Sequence, residues 1–286
     1  MAGHVLVGAD GSESSLDAVA VAAREARQRG LGLRIVHAFI WPLMKAPVGA
    51  AAEALRGQAD TIVSGAVQHA RATEPDLTDV EGEVVTGEPL SILAVRSERA
   101  DLVVVGSRGL GAFTGLLIGS VAVHLAAHAH CPVLVVRGRA APEGPVAVAV
   151  DGSGDAGAAL DAAFSEAARL GSALLALHVW NTWTADGQER PHATAPLVSN
   201  LDDLRKDAEL TLTDALAPGQ AAHPDVSVEQ RVLEGRVRPA LIDASKESRL
   251  LVVGARGRGG FQGLLLGSVS QALLQHAHCP VLVVRG

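Results

Sequence analysis

The sequence predicts an α/β protein built from two tandem copies of one Rossmann-like domain, each a parallel sheet with helices on both faces. Three observations carry this. Short apolar runs alternate with stretches of helical periodicity along all 286 residues. Alternating strands and helices need crossover connections, and these produce parallel sheets covered on both sides. Residues 106–138 match residues 254–286 at 23 of 33 positions, with a shift of 148. The opening "HVLVGADGSESS" (4–15) answers "PVAVAVDGSGDA" (145–156) with a shift of 141, so the second copy holds seven extra residues in its middle. Units of about 140 residues are self-sufficient domains rather than solenoid repeats. Their expected bounds are 1–138 and 145–286, joined by "GRAAPEG".

In the first copy, "HVLVGA" reads as a buried strand. Leu16, Val19, Ala20, Ala23 and Ala26 then recur at helical spacing, and Gly30 suits a C-terminal cap. "LRIVHAF" is the second strand, and residues 53–73 read as a helix. "VEGEVVTG" is a strand, and "PLSILAVRSER" a helix opened by Pro89. "DLVVVG" is a strand, "GSVAVHLAAHA" a helix and "PVLVVRG" the last strand. The second copy repeats the strands as "AVAVD", "ALLALHVW", "VSVEQRVLEG", "RLLVVG" and "PVLVVRG".

Composition narrows the function. Hydrophobic residues are 48% and charged residues 19%, which supports a packed core and not a disordered chain. Aromatics are 2% with no Tyr, so Val, Leu, Ile and Ala must fill the core, and stacking platforms for nucleic-acid bases are scarce. The net charge of −7 argues against nucleic acid or an anionic membrane as a partner. No apolar run approaches the roughly 20 residues of a membrane span. Cys131 and Cys279, each in the phrase "HAHCPVLVVRG", are the two thiols of the chain, which fits a reducing compartment. "MAGHVLVGADGS" enters a strand directly and has no signal-peptide pattern. A cytoplasmic location is the expectation.

Parallel sheets bind ligands beyond the carboxyl ends of their strands, where the strand order reverses. Two groups of residues fall there. One is "ADGS" after the first strand; the other is "GSRGLGAFTGLLIGS" (106–120), repeated as "GARGRGGFQGLLLGS" (254–268). Glycines allow close backbone approach, and a helix start offers unpaired N–H donors with about half a unit of positive charge. The combination is a phosphate cradle; a plain helix lead-in is the structural alternative. Ser120 can serve a phosphate or cap the helix. The Walker pattern G-x-x-x-x-G-K-[ST] is absent. So is G-x-G-x-x-G after the first strand, together with the acidic residue expected about twenty positions later, which weakens a dinucleotide reading.

Gly106-x2-Gly109-x9-Gly119-Ser120, with Gly254-x2-Gly257-x9-Gly267-Ser268, resembles the ATP-binding signature of the universal stress protein family. "VLVGADGS", "VAVAVDGS", "VHAF", "LHVW" and "CPVLVV" resemble that family too, and the likeness spans both halves in the manner of its tandem-domain branch. The resemblance implies an adenine-nucleotide alpha-hydrolase-like fold, five parallel strands in the order 3-2-1-4-5 and one ATP per domain. Asp10 and Asp151 match the aspartate beside the ribose and adenine, with Ala9 and Val150 before them. Ala38 and Val179 match the residue whose backbone meets adenine. Gly106, Gly109, Gly119, Ser120 and Val121 match the phosphate loop, as do Gly254, Gly257, Gly267, Ser268 and Val269. Arg108 and Arg256 lie inside the loops and suit pairing with phosphate, with or without Mg2+. From its residues alone, Asp10 is equally an ordinary turn residue.

The copies differ. Asp101 becomes Arg249, and "TGEP" (86–89) becomes "EGRV" (234–237); these changes are expected at a strand edge and a helix start rather than in the phosphate loop. The polar segment 180–197 holds the extra residues and is expected near the adenine end of the second site. Hydrolysis needs a positioned water with a base or metal ligands, and inside the motif there is no carboxylate and no Lys. The expectation is a stress-response regulator, not an enzyme, with weak ATPase activity as the alternative and a nucleotide-free scaffold disfavoured. "DGSGD" only faintly resembles the loop of ATP pyrophosphatases. His128, His130 and Cys131, and their counterparts 276–279, are weighed as metal donors and set aside as helix-end and core residues. The apolar last strand of each copy should be an edge, a liability unless paired. Pairing the two edges makes an intrachain pseudo-dimer, and a homodimer is a further possibility.

Overall fold

A computed structural model describes residues 3–39, 50–109, 118–152, 156–180, 201–257 and 265–286, with 50–52 as backbone alone. The chain divides into two units, 1–137 and 138–286.

In the first unit the elements run β1 (His4–Gly8), α1 (Glu13–Arg29), β2 (Gly32–Phe39), α2 (Ala50–Thr73), β3 (Val80–Thr86), α3 (Pro89–Arg96), β4 (Leu102–Gly106), α4 (Ser120–His128) and β5 (Val133–Val136). The strands lie in the order β3-β2-β1-β4-β5, and their pairs are parallel. Val5 pairs with Leu33 on one side and Leu102 on the other, so the order reverses at β1. That reversal opens a crevice at the carboxyl ends of β1 and β4.

The second unit repeats this with β6 (Val146–Ala149), α5 (Ala156–Leu170), β7 (Leu174–Trp180), α6 (Leu201–Ala222), β8 (Val228–Glu234), α7 (Val237–Ala244), β9 (Leu250–Gly254), α8 (Ser268–His276) and β10 (Val281–Val284). Its parallel order is β8-β7-β6-β9-β10. The five-stranded order expected from the resemblance is present in each unit.

Local chemistry sets the element ends. Ser12 caps α1, its hydroxyl oxygen accepting from the Ser15 N–H at 3.2 Å, and Glu13 favours the positive helix start. Gly30 ends α1 at φ 67°, a left-handed conformation that favours glycine. Pro89 opens α3, where its missing N–H costs nothing. The face of α1 turned to the sheet is Ser15, Ala18, Val19, Ala22, Ala23 and Ala26. Leu16 and Ala20, expected on that face, are half-buried. The small side chains let α1 lie close to the strands, which shifts the contact line away from Leu16. The strands themselves, such as Leu102–Val105 and Leu251–Val253, are buried on both faces. Phe164 is the one aromatic among the largest fully buried side chains; it packs under Gly219 of α6, where a Cβ would strike its ring.

Candidate functional site

The first unit holds a cavity of about 510 Å3 at the carboxyl ends of β1, β2 and β4. Pockets for small molecules span about 300–1,000 Å3. Ala9, Asp10, Ala38, Gly106, Arg108, Gly109, Gly119, Ser120 and Val121 all border it. These are the nine first-copy residues singled out from the sequence.

Ala9 leaves the end of β1 with both backbone groups held. Its N–H donates to the Val36 carbonyl at 2.9 Å, and its carbonyl lies 2.7 Å from Nδ1 of His37. A carbonyl only accepts, so Nδ1 carries the proton. Asp10 turns away from the strand and is tied to Ser12. Its Oδ1 accepts from the Ser12 N–H at 2.9 Å and from the Ser12 hydroxyl at 2.6 Å. Ser15 reaches back, its Oγ accepting from the Asp10 N–H at 3.3 Å. The carboxylate is therefore a fixed group at the mouth of the crevice, not a swinging one.

Gly109 meets Asp10 so closely that a Cβ there would collide with Oδ2. Gly106, ending β4, lies against Ser14; a Cβ would stand 2.5 Å from both the Ser14 carbonyl oxygen and its Oγ. Two of the loop glycines are thus required by contact. The loop closes on itself where Gly119 N–H donates to the Ser107 carbonyl at 2.8 Å. Gly119 is the N-cap of α4 in an extended conformation, and no side chain among the described residues caps it. Ser120 is the first helical residue and is exposed, so the capping alternative for its hydroxyl is not realised. The first turn of α4, from Ser120 to Ala122, borders the cavity. Exposed Arg108 stands at the rim, its N–H donating to Ser14 Oγ at 3.3 Å. Residues 110–117 lie outside the described residues.

Most of the rest of the wall is apolar. Val36, Leu93 and Val105 carry only the signal of strand and helix residues, yet with Pro89 and Ile118 they form the apolar wall. His37 and Ser15 line it as well. The change from "TGEP" to "EGRV" falls at the end of β3 and the start of α3, as expected, and through Pro89 it also reaches the cavity wall. The other change falls at the opposite end of the sheet. Asp101 precedes β4, where its Oδ2 accepts from the His4 N–H at 2.8 Å, and Arg249 precedes β9.

The second unit repeats the geometry that can be compared. Val150 follows β6, donating to the Leu177 carbonyl at 2.8 Å, and its carbonyl lies 2.8 Å from His178 Nδ1. Val179 follows His178 on β7. A Cβ on Gly257 would stand 2.5 Å from Asp151 Oδ2. Gly254 ends β9, exposed Arg256 follows it, and Gly267 N–H donates to the Ala255 carbonyl at 2.7 Å. Gly267 caps α8, and Ser268 and Val269 open that helix. One difference is Ser270, which stands where the first unit has Ala122. Its hydroxyl donates to the Gly254 carbonyl at 2.7 Å and ties α8 to the end of β9. Residues 153–155, 181–200 and 258–264, including most of the segment with the extra residues, lie outside the described residues.

Among the described residues no three His, Cys, Asp or Glu side chains cluster for an ion. Burial pushes the Cys131 thiol up to about 12, far from a thiolate at neutral pH. Among the described residues no helix is long and apolar enough to cross a membrane.

A profile of the universal stress protein family matches residues 1–137 and again 144–285. The chain belongs to the universal stress protein family. A universal stress protein of Mycobacterium tuberculosis is 37% identical over 305 residues, covering 98% of this chain and 94% of its own. A second from that organism is 35% identical over 299 residues, covering 98% and 96%. The crystal structure of a universal stress protein from Archaeoglobus fulgidus superposes with a TM-score of 0.71 at 20% identity, covering 99% of this chain and 98% of that one. The fold is therefore that of the family, in tandem.

Proposed function

We propose that this universal stress protein binds ATP in the cavity of its first half and at the matching place in its second. The observation that supports this best is the convergence of nine sequence-chosen residues on one cavity of small-molecule size. The residues suit the ligand. An apolar wall of Val36, Leu93, Val105 and Ile118 fits a flat base, and the Ala38 backbone is beside it. Asp10, held by Ser12, is an acceptor for ribose hydroxyls. The uncapped first turn of α4, the glycines and Arg108 suit anionic oxygens. Among the described residues that line the cavity Asp10 is the one carboxylate, so Mg2+ enters this reading as a companion of the phosphates.

Occupancy, not turnover, is the proposed signal. A general base with a positioned water is what hydrolysis requires, and Asp10 already spends Oδ1 on Ser12. The chain would act as a cytoplasmic stress-response regulator whose conformation or partner binding follows its nucleotide. Calorimetry with ATP and GTP, alongside phosphate release, tests this. Saturable ATP binding with phosphate release at the buffer rate supports the reading. Phosphate release lost in Gly109→Ala and Gly257→Ala variants would turn it toward an ATPase. Pairing of the last strands is also proposed, on the apolar edge argument. A chain cleaved in the 138–144 linker that separates into two halves on a sizing column would contradict it.

A further inference from the structure

Helix α4 carries a pair of imidazoles that the nucleotide reading does not use. His124 and His128 lie one turn apart, their rings stacked with centroids 4.1 Å apart and planes at 18°. Histidines at i and i+4 on one helical face are the arrangement that grips a metal ion in helical zinc sites. His128 Nδ1 lies 3.0 Å from the His124 carbonyl. Since that carbonyl can only accept, Nδ1 carries the proton and Nε2 of the neutral ring presents its lone pair. A backbone bond that fixes one ring nitrogen and aims the other is the usual support for a histidine ligand. His128 is exposed and His124 half-buried, so an ion has access.

We propose that His124 and His128 form a two-imidazole site for a divalent cation of the Zn2+ class. Zn–N bonds are about 2.0–2.1 Å, so two nitrogens around one ion stand about 3–3.5 Å apart, and the rings turn out of their stack to converge on it. Among the described residues no third donor joins the pair, so the proposed site is a two-imidazole one. The second half supplies its own control. His276 takes the place of His128 on α8, but Ala272 takes the place of His124. The site is therefore a property of the first copy alone.

The test is calorimetric titration of Zn2+ into the untagged full chain, stripped of nucleotide so that phosphates cannot hold the metal. The expected result is one Zn2+ per chain whose affinity falls at least tenfold in His124→Gln and, separately, in His128→Gln. His276→Gln should bind as the parent does. His128 is exposed, so its variant tests the site even if His124→Gln disturbs packing. Equal Zn2+ binding by the parent and both α4 variants, or no binding by the parent, would overturn the proposal. None of these outcomes depends on whether ATP binds.

Discussion

Gly109→Ala should weaken one ATP site without unfolding the protein. The added Cβ collides with Asp10 Oδ2, so either the carboxylate or the loop must move. Asp10 is held through Oδ1 by the Ser12 N–H at 2.9 Å and the Ser12 hydroxyl at 2.6 Å. Hydrogen bonds to a charged group are worth about 1.5–3 kcal/mol each. Once the carboxylate is displaced, losing its bond to ribose costs about 1.5–3 kcal/mol of binding, a Kd rise of about 10- to 150-fold. If a Ser12 bond breaks, stability should fall by about 0.5–2.5 kcal/mol, because stiffening of the unfolded chain on replacing Gly by Ala offsets at most about 0.4–1 kcal/mol of the loss. Calorimetric titration of ATP into nucleotide-stripped protein reads the effect. One class of site should weaken in Gly109→Ala and the other in Gly257→Ala, since Gly257 meets Asp151 Oδ2 in the same way. A Kd within about twofold of the parent in both variants would refute the reasoning that these contacts set the sites.

Gly106→Ala is expected to act differently, because its Cβ meets the backbone of Ser14 and would push α1 from β4. It should cost about 1–3 kcal/mol of stability, read by urea denaturation. Arg108→Ala should weaken ATP about three- to tenfold, flatten the salt dependence and leave adenosine unchanged. Burial first, then the Arg34 and Arg96 charges, lower the His4 pKa below 6.5 against the opposing pull of Asp101 and Asp79. The folded state therefore binds fewer protons than the unfolded one, and stability falls as pH drops through 6.5 toward the lowered value. His4→Gln should flatten the pH dependence in that window, measured as denaturation midpoints from pH 7.5 to 5.5 at constant ionic strength.

The fold was largely legible because period and punctuation agree along the chain. Gly30 and Pro89 mark helix ends for reasons of backbone geometry that no tertiary contact overrides. The face of α1 was not legible in detail, because Leu16 outweighs alanine in any hydrophobic pattern while close helix–sheet packing prefers the alanines. At the site, polar and glycine positions announced themselves through fixed spacing. Pro89, Leu93 and Ile118 did not, since an apolar residue facing a cavity has the same sequence signal as one facing the core. Gly106 had a second duty that spacing alone hid, the contact with Ser14. The His124–His128 pair is written in the sequence as "HLAAH", a spacing of one helical turn, but only the helix shows the two rings stacked.

The central claim is that this chain holds adenine nucleotide in its repeated glycine loops. Freshly purified protein should be denatured and its released small molecules identified by chromatography and mass. The account predicts ATP, up to one molecule per half. Protein that releases no nucleotide and then shows no heat on titration with ATP would contradict it.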